Sequence, residues 1–378
     1  MHHLKFLCAA LASSLCLLAP VRAELTPTSV DSNTLEIAEI ADGLDHPWGL
    51  AFMPDGAMLV TERSGQLRTI SANGEVGDPL AGVPEVAARG QGGLLDVALS
   101  PQFETDRYVY LSYAEQGDDR KMGTAVGRGR LSVDGQSLEG FEVIFRQLPK
   151  LSTGNHFGSR LAFDRQGHLF VSLGENNERS TAQDLDKHQG TIVRINADGS
   201  VPKDNPFVNR TGARPEIWTY GQRNPQGLAL NPESGEIWSS EHGPRGGDEV
   251  NLAEPGKNYG WPLATHGINY SGMRIPEAKG EAVEGTEAPL YVWKKSPAIS
   301  GMAFDSGKVP QWRHSLFIGA LSSQDVIRLT LDGKKVVAEE RLLADRGERV
   351  RDVRIGPDGA LYVLTDSSKG KLLRVKPR

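Results

Sequence analysis

Residues 160–174 read RLAFDRQGHLFVSLG, and residues 352–366 read DVRIGPDGALYVLTD. Each stretch combines an alternating apolar strand, a turn rich in Asp and Gly, and a second β-branched or aromatic strand, which is typical of a β-hairpin. The unit begins at residues 49, 96, 160, 227, 301 and 352. Six such hairpins, followed by outer strands such as 66–70, predict an all-β fold, a six-bladed β-propeller of four-stranded antiparallel blades. Unrelated hairpins in a sandwich are the alternative, but the blade-sized spacing of 47 to 74 residues favours the propeller.

The composition limits the classes of partner. The chain has 378 residues, 43 glycines, 22 prolines and a formal net charge of −6. A nucleic-acid partner is not expected, because phosphate binding requires a basic face. Only the extreme N-terminus approaches the roughly 20 apolar residues that span a membrane, so we expect no membrane span in the mature chain.

The N-terminus predicts export. Residues 1–23 read MHHLKFLCAALASSLCLLAPVRA, with a basic residue, an apolar stretch and a small-residue cleavage site at Ala23. An uncleaved anchor is the alternative, but the apolar stretch is short for one. We expect a signal peptide at 1–23 and one propeller domain at 24–378, periplasmic or secreted. Both cysteines, Cys8 and Cys16, lie in the removed segment, so the mature chain would have no thiol.

Polar motifs precede three of the inner strands, where a propeller builds its ligand funnel. His156 stands before the third hairpin, where a neutral imidazole can take a proton from a bound hydroxyl. Arg223 and Asn224 precede the fourth, and Arg349 and Arg351 precede the sixth at alternate positions on one face. The arginines suit a ligand rich in carboxylates or carbonyls. Taken singly, each motif also fits a packed histidine, a surface turn or a solvated edge strand.

The loop 239–249, SSEHGPRGGDE, is dense in glycine and acidic residues and suits a calcium site, although it lacks the EF-hand spacing. Motifs for nucleotide binding and for serine or zinc hydrolases are absent from the sequence. The residues alone therefore predict an exported propeller with a cationic, histidine-bearing funnel and a cation site.

Six segments follow one another along the chain: GQGGLLDVALSP, NHFGSRLAFD, YGQRNPQGLAL, EHGPRGGDEVNL, KNYGWP and ERVRDVRIGPDGALYVLTD. Together and in this order, they resemble the soluble quinoprotein aldose sugar dehydrogenases of the glucose/sorbosone dehydrogenase family, over about residues 35–377. The resemblance implies a six-bladed propeller that binds pyrroloquinoline quinone (PQQ), an orthoquinone with three carboxylates, together with Ca²⁺.

The resemblance also implies roles for individual residues. Arg349 and Arg351 would face PQQ carboxylates, and the cofactor site would be lined by Gln91, Glu175 and Asn224. Carbonyls of Gly243 and Pro244 would bind the catalytic Ca²⁺, and Glu249 and Tyr259 match the positions that hold a structural one.

The implied reaction converts an aldose to a lactone. His156 would take the proton of the anomeric hydroxyl, the C1 hydride would pass to the quinone, and Arg223 would stabilise the charge on the quinone oxygen. The expected partners are aldose sugars and an unidentified electron acceptor, and the expected state is a monomer or weak dimer.

One position departs from the family pattern. Ser322 stands where a lysine that contacts a PQQ carboxylate is expected. This change is compatible with weaker cofactor binding or with partial replacement by the serine hydroxyl. It keeps open two rival functions, a binding propeller that has lost PQQ and a calcium-dependent lactonase, although a lactonase would need carboxylates and amides on one central calcium.

Overall fold

The computed structural model describes residues 25–378, so the predicted signal peptide lies outside the described residues. Two strands precede the first blade, β1 (Thr28–Ser29) and β2 (Leu35–Leu44). Blades 1 to 3 contain β3 (Pro47–Phe52), β4 (Met58–Glu62), β5 (Gln66–Ile70), β6 (Val76–Pro79), β7 (Leu94–Leu99), β8 (Tyr108–Gln116), β9 (Met122–Leu131), β10 (Leu138–Arg146), β11 (Gly158–Phe163), β12 (Leu169–Leu173), β13 (Thr191–Ile195) and β14 (Ile217–Tyr220).

Blades 4 to 6 complete the ring. Their strands are β15 (Pro225–Leu230), β16 (Ile237–Glu241), β17 (Asp248–Leu252), β18 (Tyr291–Trp293), β19 (Ile299–Phe304), β20 (Ser315–Ala320), β21 (Asp325–Asp332), β22 (Lys335–Leu342), β23 (Val350–Ile355), β24 (Leu361–Thr365) and β25 (Gly370–Pro377). The predicted six-bladed propeller is confirmed, with every predicted hairpin forming the first two strands of a blade.

The ring is closed by the N-terminal strand, which the repeat did not reveal. β2 pairs antiparallel with β25, so that the outer strand of blade 6 comes from the start of the described chain. β1 adds a parallel fifth strand to blade 5 beside β22. Closure by both ends of the sequence ties the first and last blades together without a disulfide.

Helices are few and short. They are α1 (Phe103–Asp106) and the 3₁₀ turns Ser32–Thr34, Asp118–Arg120, Arg179–Gln183, Pro310–Trp312 and Ala344–Arg346. From Leu25 to Arg378, none is long and apolar enough to cross a membrane.

The apolar core is divided among the interfaces between blades. Leu59 of blade 1 packs in one cluster with Leu94 and Val109 of blade 2, and Phe317 of blade 5 in another with Val353 and Val363 of blade 6. Hydroxyls on second strands add hydrogen bonds across four interfaces: Thr61 to the carbonyl of Leu95 (2.5 Å), Ser112 to Ser159 (2.6 Å), Ser172 to Pro225 (2.8 Å) and Ser240 to Ser300 (3.1 Å).

Each inner strand carries a register irregularity near its start. It lies between Pro47 and Gly49 in blade 1, between Pro225 and Gly227 in blade 4, and between Val350 and Asp352 in blade 6, and the other three blades repeat it. A β-bulge re-aims the side chain of the extra residue. Trp48, Gln226 and Arg351 are such residues, and all three line the funnel described below.

A buried network of charges joins the inner strands of three blades. Nη1 of Arg160 lies 2.9 Å from Asp96 and 3.2 Å from Asp352, and Arg354 contacts the same two carboxylates at 2.7 and 2.8 Å. Arg160 also lies over the ring of Trp48, 4.2 Å from its centroid. These side chains come from blades 2, 3 and 6 and join them across the channel.

We predict that Arg160→Leu lowers the free energy of unfolding by about 3–5 kcal/mol, because it leaves two buried carboxylates with one guanidinium. Arg146→Leu is the matched control, since Arg146 is half exposed beside Glu115 and its loss should cost about 1 kcal/mol or less. Guanidinium unfolding compares the two variants. Equal losses would contradict the structural role of the buried network.

Candidate active site

A funnel of about 300 Å³ opens at the end of the channel where first strands begin and second strands end. Antiparallel pairing places these two kinds of loop at the same edge of each blade. Six of the predicted site residues line the funnel: Gln91, His156, Arg223, Asn224, Arg349 and Arg351. The fold therefore brings together predicted site residues from blades 2, 3, 4 and 6.

His156 is held by a buried carboxylate. Its Nδ1 lies 2.6 Å from Oε2 of Glu175, which is fully buried behind the funnel wall and also accepts a hydrogen bond from the backbone of Asn177 at 2.8 Å. A carboxylate at Nδ1 favours the tautomer that carries its proton there. Nε2 is then the nitrogen that His156 offers to the funnel. Glu175 therefore orients the histidine and does not itself line the cavity.

A glycine makes this arrangement possible. A Cβ at Gly174, just before Glu175, would lie 1.9 Å from the carbonyl oxygen of His156. The loop before β11 and the loop after β12 therefore touch at a point where only glycine fits.

Gln91 and Asn224 are fixed so that their donors remain available. Oε1 of Gln91 accepts from the backbone N–H of His156 at 2.8 Å, and Oδ1 of Asn224 accepts from Gly158 at 3.0 Å. Each side-chain oxygen is thus used by the protein. The NH₂ group of each amide is left for a ligand that accepts hydrogen bonds.

Arg349 and Arg351 share one acid. Oδ2 of Asp366 lies 2.9 Å from Arg351 and 3.2 Å from Arg349, and Oδ1 lies 2.9 Å from Nδ1 of His46. Burial works against ionisation of Asp366, but the charge of Arg351 and the hydrogen bond from His46 hold its pKa well below the usual range. The wall keeps a cationic excess for an anionic ligand.

Arg223 lies against the predicted calcium loop. Its Nη1 donates to the carbonyls of Gly243 at 2.8 Å and His242 at 3.1 Å. The carbonyl of Pro244, by contrast, accepts no hydrogen bond from residues 25–378. These carbonyls alone make an incomplete calcium site, and any further ligands would have to come from a bound molecule.

Glu249 lies beside Glu241 in an acidic cluster on blade 4. Asn251 donates to Glu241 at 3.4 Å and to Glu249 at 3.3 Å, so a buried and a partly buried carboxylate share one amide. Burial raises the pKa of both acids, and Glu241 raises that of Glu249 further. The Tyr259 hydroxyl is occupied, since it donates to the Leu252 carbonyl and accepts from the Glu254 N–H.

This acidic cluster is small. Across Leu25–Arg378 no group of three or more His, Cys, Asp or Glu side chains forms a metal cage. Oδ1 of Asn251 is nevertheless buried without a hydrogen-bond partner in this part of the chain. Two carboxylates and a free amide oxygen are ligands that Ca²⁺ accepts, provided that backbone carbonyls complete the shell.

The structure adds eight lining residues to those that the sequence suggested: Trp48, Arg63, Gln226, His242, Tyr270, Ala298, Leu321 and Asp366. Burial, reinforced by Arg223 and Arg351, lowers the pKa of His242 well below its usual range. The sequence did contain a signal for Asp366. An acid stands at or just after the end of the second strand in three blades, in LGE (173–175), SSE (239–241) and LTD (364–366). Tyr270 is 74% exposed and stands on the long loop before β18, where no repeat guides prediction.

We predict that Asp366→Asn destabilises the protein by about 3 kcal/mol at pH 7, because it removes the shared partner of a buried arginine. Since the pKa of Asp366 is depressed by folding, its contribution is present above the unfolded value of about 3.9 and declines as pH falls below it. Unfolding at pH 7 and pH 3 should show the difference shrinking. A constant difference would contradict this, and Asp186→Asn, at an exposed position, is the control.

Comparison with known proteins agrees with this geometry. The sequence model of the Glucose / Sorbosone dehydrogenase family matches residues 44–374. The chain is 61% identical to an aldose sugar dehydrogenase of Escherichia coli K12, over 91% of this chain and 94% of that protein.

Two solved structures extend the comparison. The apo-form of the E. coli soluble aldose sugar dehydrogenase superposes with a TM-score of 0.90 at 60% identity, covering 91% of this chain and 100% of that one. The PQQ-bound aldose sugar dehydrogenase of Streptomyces coelicolor gives 0.75 at 28% identity, covering 93% and 100%. Because the family model matches most of this chain, the chain belongs to the glucose/sorbosone dehydrogenase family.

Proposed function

We propose that this protein oxidises aldose sugars at C1 to lactones, with PQQ and Ca²⁺ bound in the funnel and His156 as the base. The observation that carries the proposal is the pairing of His156 with buried Glu175 beside a wall of arginines. Similarity to the E. coli aldose sugar dehydrogenase and to the PQQ-bound Streptomyces structure supports it.

The donors of the funnel fit a flat tricarboxylate. Arg349 and Arg351 offer guanidiniums on one side, and the free amide groups of Gln91 and Asn224 point to another. Guanidiniums bind carboxylates through paired hydrogen bonds, and oriented amides suit quinone and carboxylate oxygens. PQQ held by these residues would supply an acceptor for the C1 hydride, and Ca²⁺ held by the carbonyls of Gly243 and Pro244 would supply Lewis-acid polarisation of the quinone.

The chain's own groups handle the proton and the developing charge. Nε2 of His156 takes the proton from the C1 hydroxyl, while Glu175 stabilises the imidazolium through Nδ1. Arg223, fixed against the carbonyls of His242 and Gly243, places a permanent cation where negative charge grows.

Calcium has two places in this proposal. The carbonyls of Gly243 and Pro244 would hold the catalytic ion together with ligands from the cofactor. Glu249, with Glu241, Asn251 and the backbone of Tyr259, would hold a structural ion. Two adjacent carboxylates, one buried and one partly buried, that share a single neutral amide are costly without a cation, which supports the second site.

The sequence features outside the site complete the proposal. Cleavage near Ala23 would release residues 24–378 as one periplasmic or secreted catalytic propeller, working as a monomer or weak dimer with an unidentified electron acceptor. The cationic funnel disfavours a lactonase, whose calcium would need converging side-chain carboxylates.

We predict PQQ-dependent turnover of glucose by the purified apoprotein supplied with Ca²⁺ and an artificial electron acceptor. His156→Ala should lower kcat by about 10²–10⁴, because the general base is lost. His168→Ala is the matched control, since His168 has the same Nδ1–carboxylate pairing, with Asp164 at 2.8 Å, on a turn outside the funnel. Turnover without PQQ, or equal activity in both variants, would refute the proposed chemistry.

We predict that Ca²⁺ stabilises the folded protein. At a free concentration about 100 times Kd, one bound ion raises the free energy of unfolding by about 2.7 kcal/mol. Glu249→Gln should lose the part of this increase that belongs to the structural site. Glu339→Gln, a buried acid bound to Arg341, should keep all of it. Unfolding with and without chelator measures both, and an unchanged calcium response in Glu249→Gln would place the ion elsewhere.

A further inference from the structure

Arg63 is an unpaired cation in the funnel wall. It follows β4 in blade 1 and lines the funnel together with Arg223, Arg349 and Arg351. Arg349 and Arg351 are paired with Asp366, and Arg223 donates to carbonyls. The guanidinium of Arg63 makes no hydrogen bond and no ion pair with any residue from Leu25 to Arg378. Its partner must therefore be solvent or a ligand.

The backbone of Arg63 is fixed, although its guanidinium has no partner among residues 25–378. Its N–H donates to the carbonyl of His46 at 3.2 Å, and its carbonyl accepts from Leu94 at 3.2 Å. A Cβ at Gly93 would lie 1.9 Å from the Arg63 carbonyl oxygen and 2.7 Å from its Cγ. The backbone of Arg63 is thus held between blades 1 and 2, and Gly93 leaves room for the start of its side chain.

Blade 5, which neighbours Arg349 and Arg351 of blade 6, contributes no Lys or Arg to the described lining of the funnel. In blade 5, Leu321 lines the funnel, whereas Ser322 is exposed and lines a separate cavity beside Pro297, to whose carbonyl it donates through its N–H at 2.9 Å. The Ser322 hydroxyl is therefore not placed to replace the family lysine. The charge that blade 5 does not supply is present on blade 1.

We propose that Arg63 is a cofactor-anchoring residue whose guanidinium binds a carboxylate of PQQ. The proposal rests on the proposed function. Arg63, Arg349 and Arg351 bring three positive charges to one wall, against the single negative charge of Asp366. A ligand with several carboxylates balances this excess, whereas a neutral sugar does not.

The test is equilibrium binding of PQQ to the apoprotein in calcium buffer, followed by quenching of tryptophan fluorescence, since Trp48 lines the funnel. Arg63→Gln should raise Kd about 10- to 100-fold, as expected for a hydrogen bond between charged groups. Arg63→Lys keeps the charge without the bidentate geometry and should give an intermediate Kd. Arg68→Gln, which removes an arginine bound to Glu62 outside the funnel, should leave Kd unchanged.

The outcomes separate this inference from the proposed function. No binding of PQQ to the unmodified protein at micromolar concentration would overturn both. Tight binding to the unmodified protein and equal binding to Arg63→Gln would overturn the role of Arg63 alone. An unchanged Kd for PQQ with a raised KM for glucuronate, and not for glucose, would also overturn it, because Arg63 would then bind a substrate carboxylate.

Discussion

The contact of Arg160 with Asp96 and Asp352 is the constraint on which the rest of the molecule depends. Arg354 completes the network, and together these side chains join blades 2, 3 and 6. Two guanidiniums face two carboxylates, so each buried charge has a partner of opposite sign. The funnel lies at one end of the ring, and it is lined by loops and by the first residues of inner strands, such as Trp48, Gln226 and Arg351.

The six hairpins were predictable because a strand pattern of period two survives in each unit, and blade-sized spacing left few other architectures. Closure of the ring by β2 was not predictable, because pairing with β25 joins segments about 330 residues apart without a local signal. The β-bulges could not be predicted either, because each depends on how a first strand pairs with the second. The sequence therefore did not show that Gln226 is the extra residue of a bulge and lines the funnel.

Residues that lie at fixed places in the repeat could be placed at the funnel from the sequence. His156, Arg223 and Arg351 precede or begin inner strands, and the topology alone brings such positions together. Tyr270 lies in an insertion of blade 4, and its position depends on loop packing that no repeat encodes. Arg63 was missed for another reason. Its place in the repeat is not held by one residue type, since the equivalent residues are His242 in blade 4 and Asp366 in blade 6.

The acids at or just after the ends of second strands have a different role from the residues before first strands. Loops before first strands supply the groups that face the funnel, and the ends of second strands supply carboxylates behind them. Glu175 orients His156, Glu241 accepts the backbone N–H of Arg223, and Asp366 holds the blade 6 arginines. Each carboxylate fixes its partner before any ligand arrives, which is the preorganisation that electrostatic catalysis requires. Blade 1 differs, because Glu62 at the end of its second strand binds Arg68 and the Asp45 N–H, and Arg63 is left to pair with whatever the funnel binds.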